Sequence, residues 1–178
     1  MTAISRLSVA IFICTLHVAG KPGNPDVGVL KVRALSGELN AQLRLGLHFS
    51  SDSNLKNYNE AFFWYEKAAK ANDPLACHYL GKAHATGKGT AQNLELAANW
   101  YRKSAGQGNA LAMIRLGELL SRNGSEKTSW PEAHAWFALA VEKGETACTT
   151  ERDLLAKKLS EQNRRLQHLT SQQYSNLL

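Results

Sequence analysis

Trp64-Tyr65, Trp100-Tyr101 and Trp136-Phe137 stand 36 residues apart, and that fixed interval restricts the possible folds more than any other feature of the chain. A recurrence of this length means one supersecondary unit built three times, each stacking on the next because none can bury its apolar face alone. Other landmarks keep phase. Ala61, Ala97 and Ala133 recur at the same interval, and Asn57, Asn93 and Ser129 each stand seven residues before the aromatic pair. Leu45-Gly46, Leu80-Gly81 and Leu116-Gly117 recur at 35 and then 36 residues, so the first unit is one residue short. Trp64 to Leu80 and Trp100 to Leu116 are both 16 residues. The deletion therefore lies between Gly46 and Trp64, in a connecting segment where deletions are tolerated.

Each unit reads as two helices. Ala76, Leu80 and His84 follow at four-residue steps, which puts them on one face of a helix A that ends near Gly87-Lys88-Gly89. Asn93 is suited to cap the next helix, B, because its side-chain oxygen can accept from the free amides of the first turn. Asn57 and Ser129 fit the same role, each with a glutamate three residues on, Glu60 and Glu132, as in a capping box. Gly108 and Gly144 are predicted to close the second and third B helices, with Asn72 substituting in the first.

The 178 residues, 44% hydrophobic with four prolines, have the composition of a globular protein. Residues 1–20 stand apart: Arg6, an apolar run from Leu7 to Ile13 with Thr15-Leu16, and Val18-Ala19-Gly20 make the pattern of a secretory signal cleaved after Gly20. The run is shorter than the roughly 20 residues of a membrane span, so stable membrane insertion is not expected; a retained signal anchor is the alternative. Ile13 before Cys14 argues against lipidation. Residues 21–28, with KPGNPD, read as a linker. Residues 29–36 read as a half-repeat helix, because Gly37 precedes Leu45 by the same eight residues that separate Gly108 from Leu116. The repeats then occupy 37–72, 73–108 and 109–144, and 145–178 forms a C-terminal helical cap and tail. Within it, Glu151–Leu159 and Ser160–Leu169 read as two helices with Ser160 as an N-cap, and 172–178 as a fraying end. The fold class is all-α, an α-solenoid of three antiparallel helix pairs with atypical capping ends.

These residues carry a family resemblance. The units resemble Sel-one-like repeats, a branch of the tetratricopeptide superfamily with the pattern A-x-x-x-L-G-x-x-Y, a Gly-x-Gly linker, then A-x-x-W-Y-x-K-A-A and a closing glycine. Ala76, Leu80, Gly81, Gly87, Gly89, Ala97, Trp100, Tyr101, Lys103, Ala105 and Gly108 fall on pattern positions. Departures are His84 at the aromatic position, Asn93 for the usual acid, and Leu120, Asn123 and Leu139 in the third unit. The resemblance implies a scaffold for protein–protein contacts, of a kind common in bacterial envelopes and secretory routes.

In such a stack the small residues let paired helices approach, the tryptophans fill the space between pairs, and one face is extended and preformed. On a helical wheel His78, Tyr79 and Lys82 lie opposite Ala76, Leu80 and His84. Their equivalents are Leu43, Arg44 and Leu47 in the first unit and Ile114, Arg115 and Glu118 in the third. A partner-binding groove is thus expected to involve Arg44, Leu47, His78, Tyr79, Lys82, Arg115 and Glu118. Of these, Arg44, Tyr79, Lys82 and Arg115 are its anchors, since Arg and Tyr dominate binding energies. The alternative for each is an ordinary solvated or inter-repeat residue.

Catalytic signatures do not emerge. Gly81-Lys82 through Gly87-Lys88-Gly89 has the wrong spacing for a phosphate loop and Gly89 where Ser or Thr is required. His84 reads as a packed core histidine, and His48, His78, His134 and His168 lack the paired spacing of metal ligands. No cofactor and no metal are expected. Cys77 reads as buried and Cys148 as partly exposed. Helix spacings separate them by more than about 10 Å, beyond the ~7 Å a disulfide bridges. The isoelectric point near 9.3 does not point to nucleic acid, because bases and acids alternate along every helix. A basic stretch of Arg152, Lys157, Lys158, Arg164 and Arg165 is offset by Glu151, Asp153 and Glu161, with anionic envelope glycans or lipid head groups as a weak further reading. The functional expectation is a monomeric, non-catalytic adaptor in the periplasm or secreted, holding a protein partner in its groove. The alternative is a peptidoglycan- or beta-lactam-binding protein with weak hydrolase activity. It rests on a cysteine-rich branch of the family, whose paired cysteines this chain lacks.

Overall fold

One turn is used four times. Gly37, Asn72, Gly108 and Gly144 all take the left-handed conformation, with φ of 96, 64, 88 and 94°, and each ends a helix. The amide of the next residue reaches back to a carbonyl in the last turn: Glu38 to Arg33, Asp73 to Ala68, Asn109 to Ser104 and Glu145 to Ala140, at 3.0–3.3 Å. This is the Schellman arrangement, which satisfies the orphan carbonyls of a helix end. Asn72 is the only non-glycine residue with positive φ among those described.

The computed structural model describes residues 26–51, 57–123 and 129–175. The signal-like residues 1–20 lie outside them. Among the described residues eight α-helices follow one another: α1 Val27–Leu35, α2 Leu39–Ser51, α3 Tyr58–Lys70, α4 Pro74–Thr86, α5 Leu94–Gly106, α6 Ala110–Asn123, α7 Trp130–Glu142 and, after a 3-10 turn at Thr146–Cys148, α8 Thr149–Ser175. The substantial helix contacts are between neighbours in sequence, as in a solenoid. Helices α2, α4 and α6 are the A helices, and α3, α5 and α7 the B helices.

Caps set the boundaries. Asp26 Oδ1 accepts from Gly28 N at 3.0 Å, and α1 starts at Val27. Asn57 accepts from Glu60 N at 3.2 Å and Asn93 from Leu96 N at 2.9 Å. The amides of Asn57 and Asn93 donate to Phe49 O and His84 O, so each cap is tied to its own helix A and no glutamate closes a capping box on it. Ser129 caps nothing with its side chain. Glu132 instead accepts from Arg102 Nη2 at 2.9 Å and from Trp136 Nε1 at 3.2 Å, joining α5 to α7. The C-terminal region is one helix, not two. Ser160 Oγ donates to Lys157 O at 2.8 Å inside α8, a local bond that lets serine sit within a helix. The helix continues to Ser175, past the expected fraying point.

The glycine of each Leu-Gly pair accommodates a ring rather than a backbone. A Cβ on Gly81 would lie 2.8 Å from Tyr101, one on Gly117 2.8 Å from Phe137, and one on Gly46 closer still to Tyr65. The second aromatic of each pair therefore lies flat on the partner helix, inside the unit. The first aromatic packs towards the preceding unit: Trp64 with Leu30, Ala34, Ala41 and Leu45, and Trp100 against the cluster of Ala68, Ala69, Ala76 and Leu80. Cys148 is buried at 2% exposure, not partly exposed. It lies beside Leu116, Phe137 and Leu155 because the 3-10 turn folds it back under α8.

Two histidines are buried in this framework. His84 packs edge-on to Phe62 at 5.4 Å, taking the place of an aromatic residue, and burial lowers its pKa. His78 lies between Tyr79 and Tyr101, 5.2 and 5.7 Å away. Burial, then the charges of Arg115 and Lys82, lower its pKa to about 4.

Replacing Gly81 or Gly117 by Ala gains about 1 kcal/mol of helix propensity but forces a ring out of place at about 1–3 kcal/mol. The melting temperature should fall, by about 2–4 °C per kcal/mol for a chain of this size. Gly106→Ala, with nothing within 4 Å of the added Cβ, should raise it instead. Between pH 6.5 and 4 the unfolded chain protonates His78 and the folded chain does not, so the unfolded state binds more protons there. Stability should fall as pH drops through that window, by about 3 kcal/mol for this residue. Chemical denaturation of His78→Phe should show most of this slope removed.

Candidate functional site

The A helices are positioned by the ring-on-glycine contacts beneath them, and their outer faces open into three recesses. The first lies between α2, α3 and α4. Its wall is aromatic, with Tyr58, Phe62, Tyr65 and Tyr79, and Lys82 and Lys88 stand beside it. Tyr65 and Tyr79 stack at 5.1 Å and 12°, Tyr65 Oη is 2.8 Å from Ser50 Oγ, and Lys88 Nζ lies 5.0 Å over the Tyr58 ring. Gly89 holds this wall in place. At φ 78° it lies against the carbonyl of Tyr58, where any side chain would collide.

The second recess, between α4 and α6, is lined by Lys82, Thr86, Leu94, Tyr101, Arg115, Glu118 and Arg122. Arg115 Nη1 pairs with Glu118 Oε2 at 2.8 Å. The third, between α6 and the turn before α8, is lined by Leu111, Ile114, Arg115, Glu118, Glu145 and Glu151, with Phe137 and Cys148. Lys82 and Thr86 belong to the first two recesses, and Arg115 and Glu118 to the last two. The three thus form one extended face.

Four of the seven residues singled out in the sequence, Tyr79, Lys82, Arg115 and Glu118, line this face. His78 does not: it is 7% exposed, roofed by the two tyrosine rings. Leu47 packs into the cluster of Leu43, Ala61 and Tyr65. Arg44 is exposed but lines no recess, because among the described residues no A helix precedes α2 to supply an opposing wall. Sequence reasoning missed Thr86 and Arg122, although both stand one helical turn beyond Lys82 and Glu118. Glu145 and Glu151 lie past the last repeat turn and had no periodic signal.

The floor of the face is uncharged. Burial pushes Tyr65 and Tyr101 up to about 12, and it also pushes up the thiols of Cys77 and Cys148, both free. Among the described residues no group of three His, Cys, Asp or Glu could hold a metal ion, and no helix is long and apolar enough to cross a membrane. In the basic stretch of α8, Arg152 pairs with Asp153 at 2.8 Å and Lys158 lies 5.0 Å over the Trp130 ring.

The Sel1 repeat family model matches at residues 39–73, 74–109 and 110–145. No curated protein matches the chain. Among solved structures, the chain is similar to a protective antigen present in uropathogenic Escherichia coli strains, which displays an SLR fold. The identity is 33% and the TM-score 0.63, over 68% of this chain and 26% of that one. The chain therefore spans about a quarter of that protein's length. A Sel1 repeat protein from Oxalobacter formigenes is 28% identical with a TM-score of 0.62, over 68% of this chain and 93% of that one. Helicobacter pylori cysteine rich protein B is 25% identical with a TM-score of 0.53, over 72% and 98%. With three matched repeats and the helix pairs that they encode, the chain belongs to the Sel1-repeat family, whose members are generally protein-interaction scaffolds.

Proposed function

We propose that the protein is an exported, non-catalytic adaptor of the bacterial cell envelope that holds a protein partner across the face formed by α2, α4 and α6. The observation that carries this reading is the continuity of the three recesses, which share Lys82, Thr86, Arg115 and Glu118. An extended, rigid and laterally continuous surface suits a chain segment better than a small molecule, whose sites are enclosed and few. Tyr79, Lys82 and Arg115 are the anchors: an aromatic ring already stacked on Tyr65 loses little entropy when covered, Lys82 lines the same recess, and Arg115 lines the next two. Export is supported by the signal-like composition of residues 1–20 and by the likeness to a protein described as a protective antigen.

A photo-crosslinking amino acid at Tyr79, compared in cells with the same probe at exposed Asn99 on α5, tests the proposal. One protein captured from Tyr79 and not from Asn99 is expected. Equal labelling from both sites, or none from Tyr79, would overturn the assignment of this face. Fractionation of the same cells checks export: the captured product should be found outside the cytoplasm.

A further inference from the structure

The extended face changes sign along its length. Among the described residues, the charged side chains of the first recess are Lys82 and Lys88. In the second, Lys82, Arg115 and Arg122 meet a single carboxylate, Glu118, and that carboxylate is already paired with Arg115. In the third the balance reverses, and Glu145 and Glu151 join Glu118 against Arg115 alone. The connecting segments 52–56 and 124–128 carry one acid and one base each, Asp52 with Lys56 and Glu126 with Lys127, so neither adds net formal charge. Apolar surface accompanies the charges along the whole face: Tyr65 and Tyr79 in the first recess, Leu94, Tyr101 and Leu119 in the second, and Leu111 and Ile114 in the third.

Resting on the adaptor reading, we infer that the occupant is an extended peptide segment of the partner in a fixed direction, its carboxylates over Lys82, Lys88 and Arg122 and a basic residue at Glu145 and Glu151. Exposed ion pairs each contribute little to affinity. Their arrangement nevertheless decides which partner is steered in and which register is rejected, since like charges brought together cost several kcal/mol. A segment laid in the opposite direction would set its basic residue against Lys82 and Lys88. The aromatic wall holds an apolar side chain next to the acidic stretch, and the charges orient it.

Selection of random displayed peptides on the immobilised full-length chain tests this. The expected peptides carry an acidic cluster, an apolar residue and a basic residue in one consistent order. Lys82→Glu with Arg122→Glu should replace the acidic preference by a basic one. Glu145→Lys with Glu151→Lys should invert the other end only. Lys82→Met with Arg122→Met, which introduces no repulsion, should abolish the acidic preference without replacing it. Binding of a selected peptide should weaken about tenfold or more on moving from low to high salt. Lys82, Arg122 and Glu151 are exposed and Glu145 is half-buried, and circular dichroism checks that each variant is folded. Peptides without charge bias, a bias unmoved by the substitutions, or no peptide above background would each overturn the inference. Capture from Tyr79 in cells with unbiased peptides would leave the adaptor standing and remove the charge assignment. Biased peptides without capture from Tyr79 would do the reverse.

Discussion

The contact on which the stack depends is an aromatic ring lying on a glycine. Tyr65 covers Gly46, Tyr101 covers Gly81 and Phe137 covers Gly117, always from helix B of a unit onto its own helix A. No other residue leaves room for the ring at that distance. The ring fixes how closely the two helices approach and how they are rotated about their axes, and the contact recurs in all three units. Leu45, Leu80 and Leu116, one position earlier, are then all carried into the core. The four left-handed turns complete the repeat by setting the direction in which the next unit begins. Contact and turn together define a geometry that propagates by neighbour interactions alone.

Most of this was legible in the sequence because it is periodic. The 36-residue interval locates the helices, their left-handed ends at Gly37, Asn72, Gly108 and Gly144, and the buried Ala61, Ala97 and Ala133. What escaped was whatever depends on contact rather than phase. Ser129 occupies the cap position, yet Glu132 is drawn away by Arg102 and Trp136. Ser160 looks like a helix start and is a helix interior. His78 sits on the outward side of the wheel and is covered by rings from two helices, which a single-helix projection cannot show. Arg44 has the right phase but stands at the end of the array. Cys148, beyond the last repeat, is enclosed by a turn with no counterpart elsewhere.

The extended face divides its work between floor and rim. The floor residues Tyr65 and Tyr101 are held neutral by burial, which pushes them up to about 12, and His78 beneath the rings is lowered to about 4. Charge enters only from long side chains at the edge, such as Lys82, Lys88, Arg115 and Arg122. Such side chains adjust position at small cost, whereas the rings beneath them cannot. The electrostatic character of a surface built this way can be altered by single exposed substitutions.

The apolar clusters do not coincide with the repeats. One joins Ala61, Tyr65, Ala68 and Ala69 of the first unit to Ala76, Cys77 and Leu80 of the second, and Trp100 closes it from the next helix. Cutting the chain at a repeat boundary would therefore divide a core, and cutting between helix A and helix B of one unit would divide one too, since Ala112, Met113 and Leu116 pack with Ala133, Phe137 and Ala140. Phase, not starting point, is the conserved quantity of the architecture. A duplication of 36 residues lengthens the array wherever it begins, because each new ring meets a new glycine. A duplication of 35 or 37 keeps the ladder only when the odd residue falls in a connecting segment, as it does between Gly46 and Trp64.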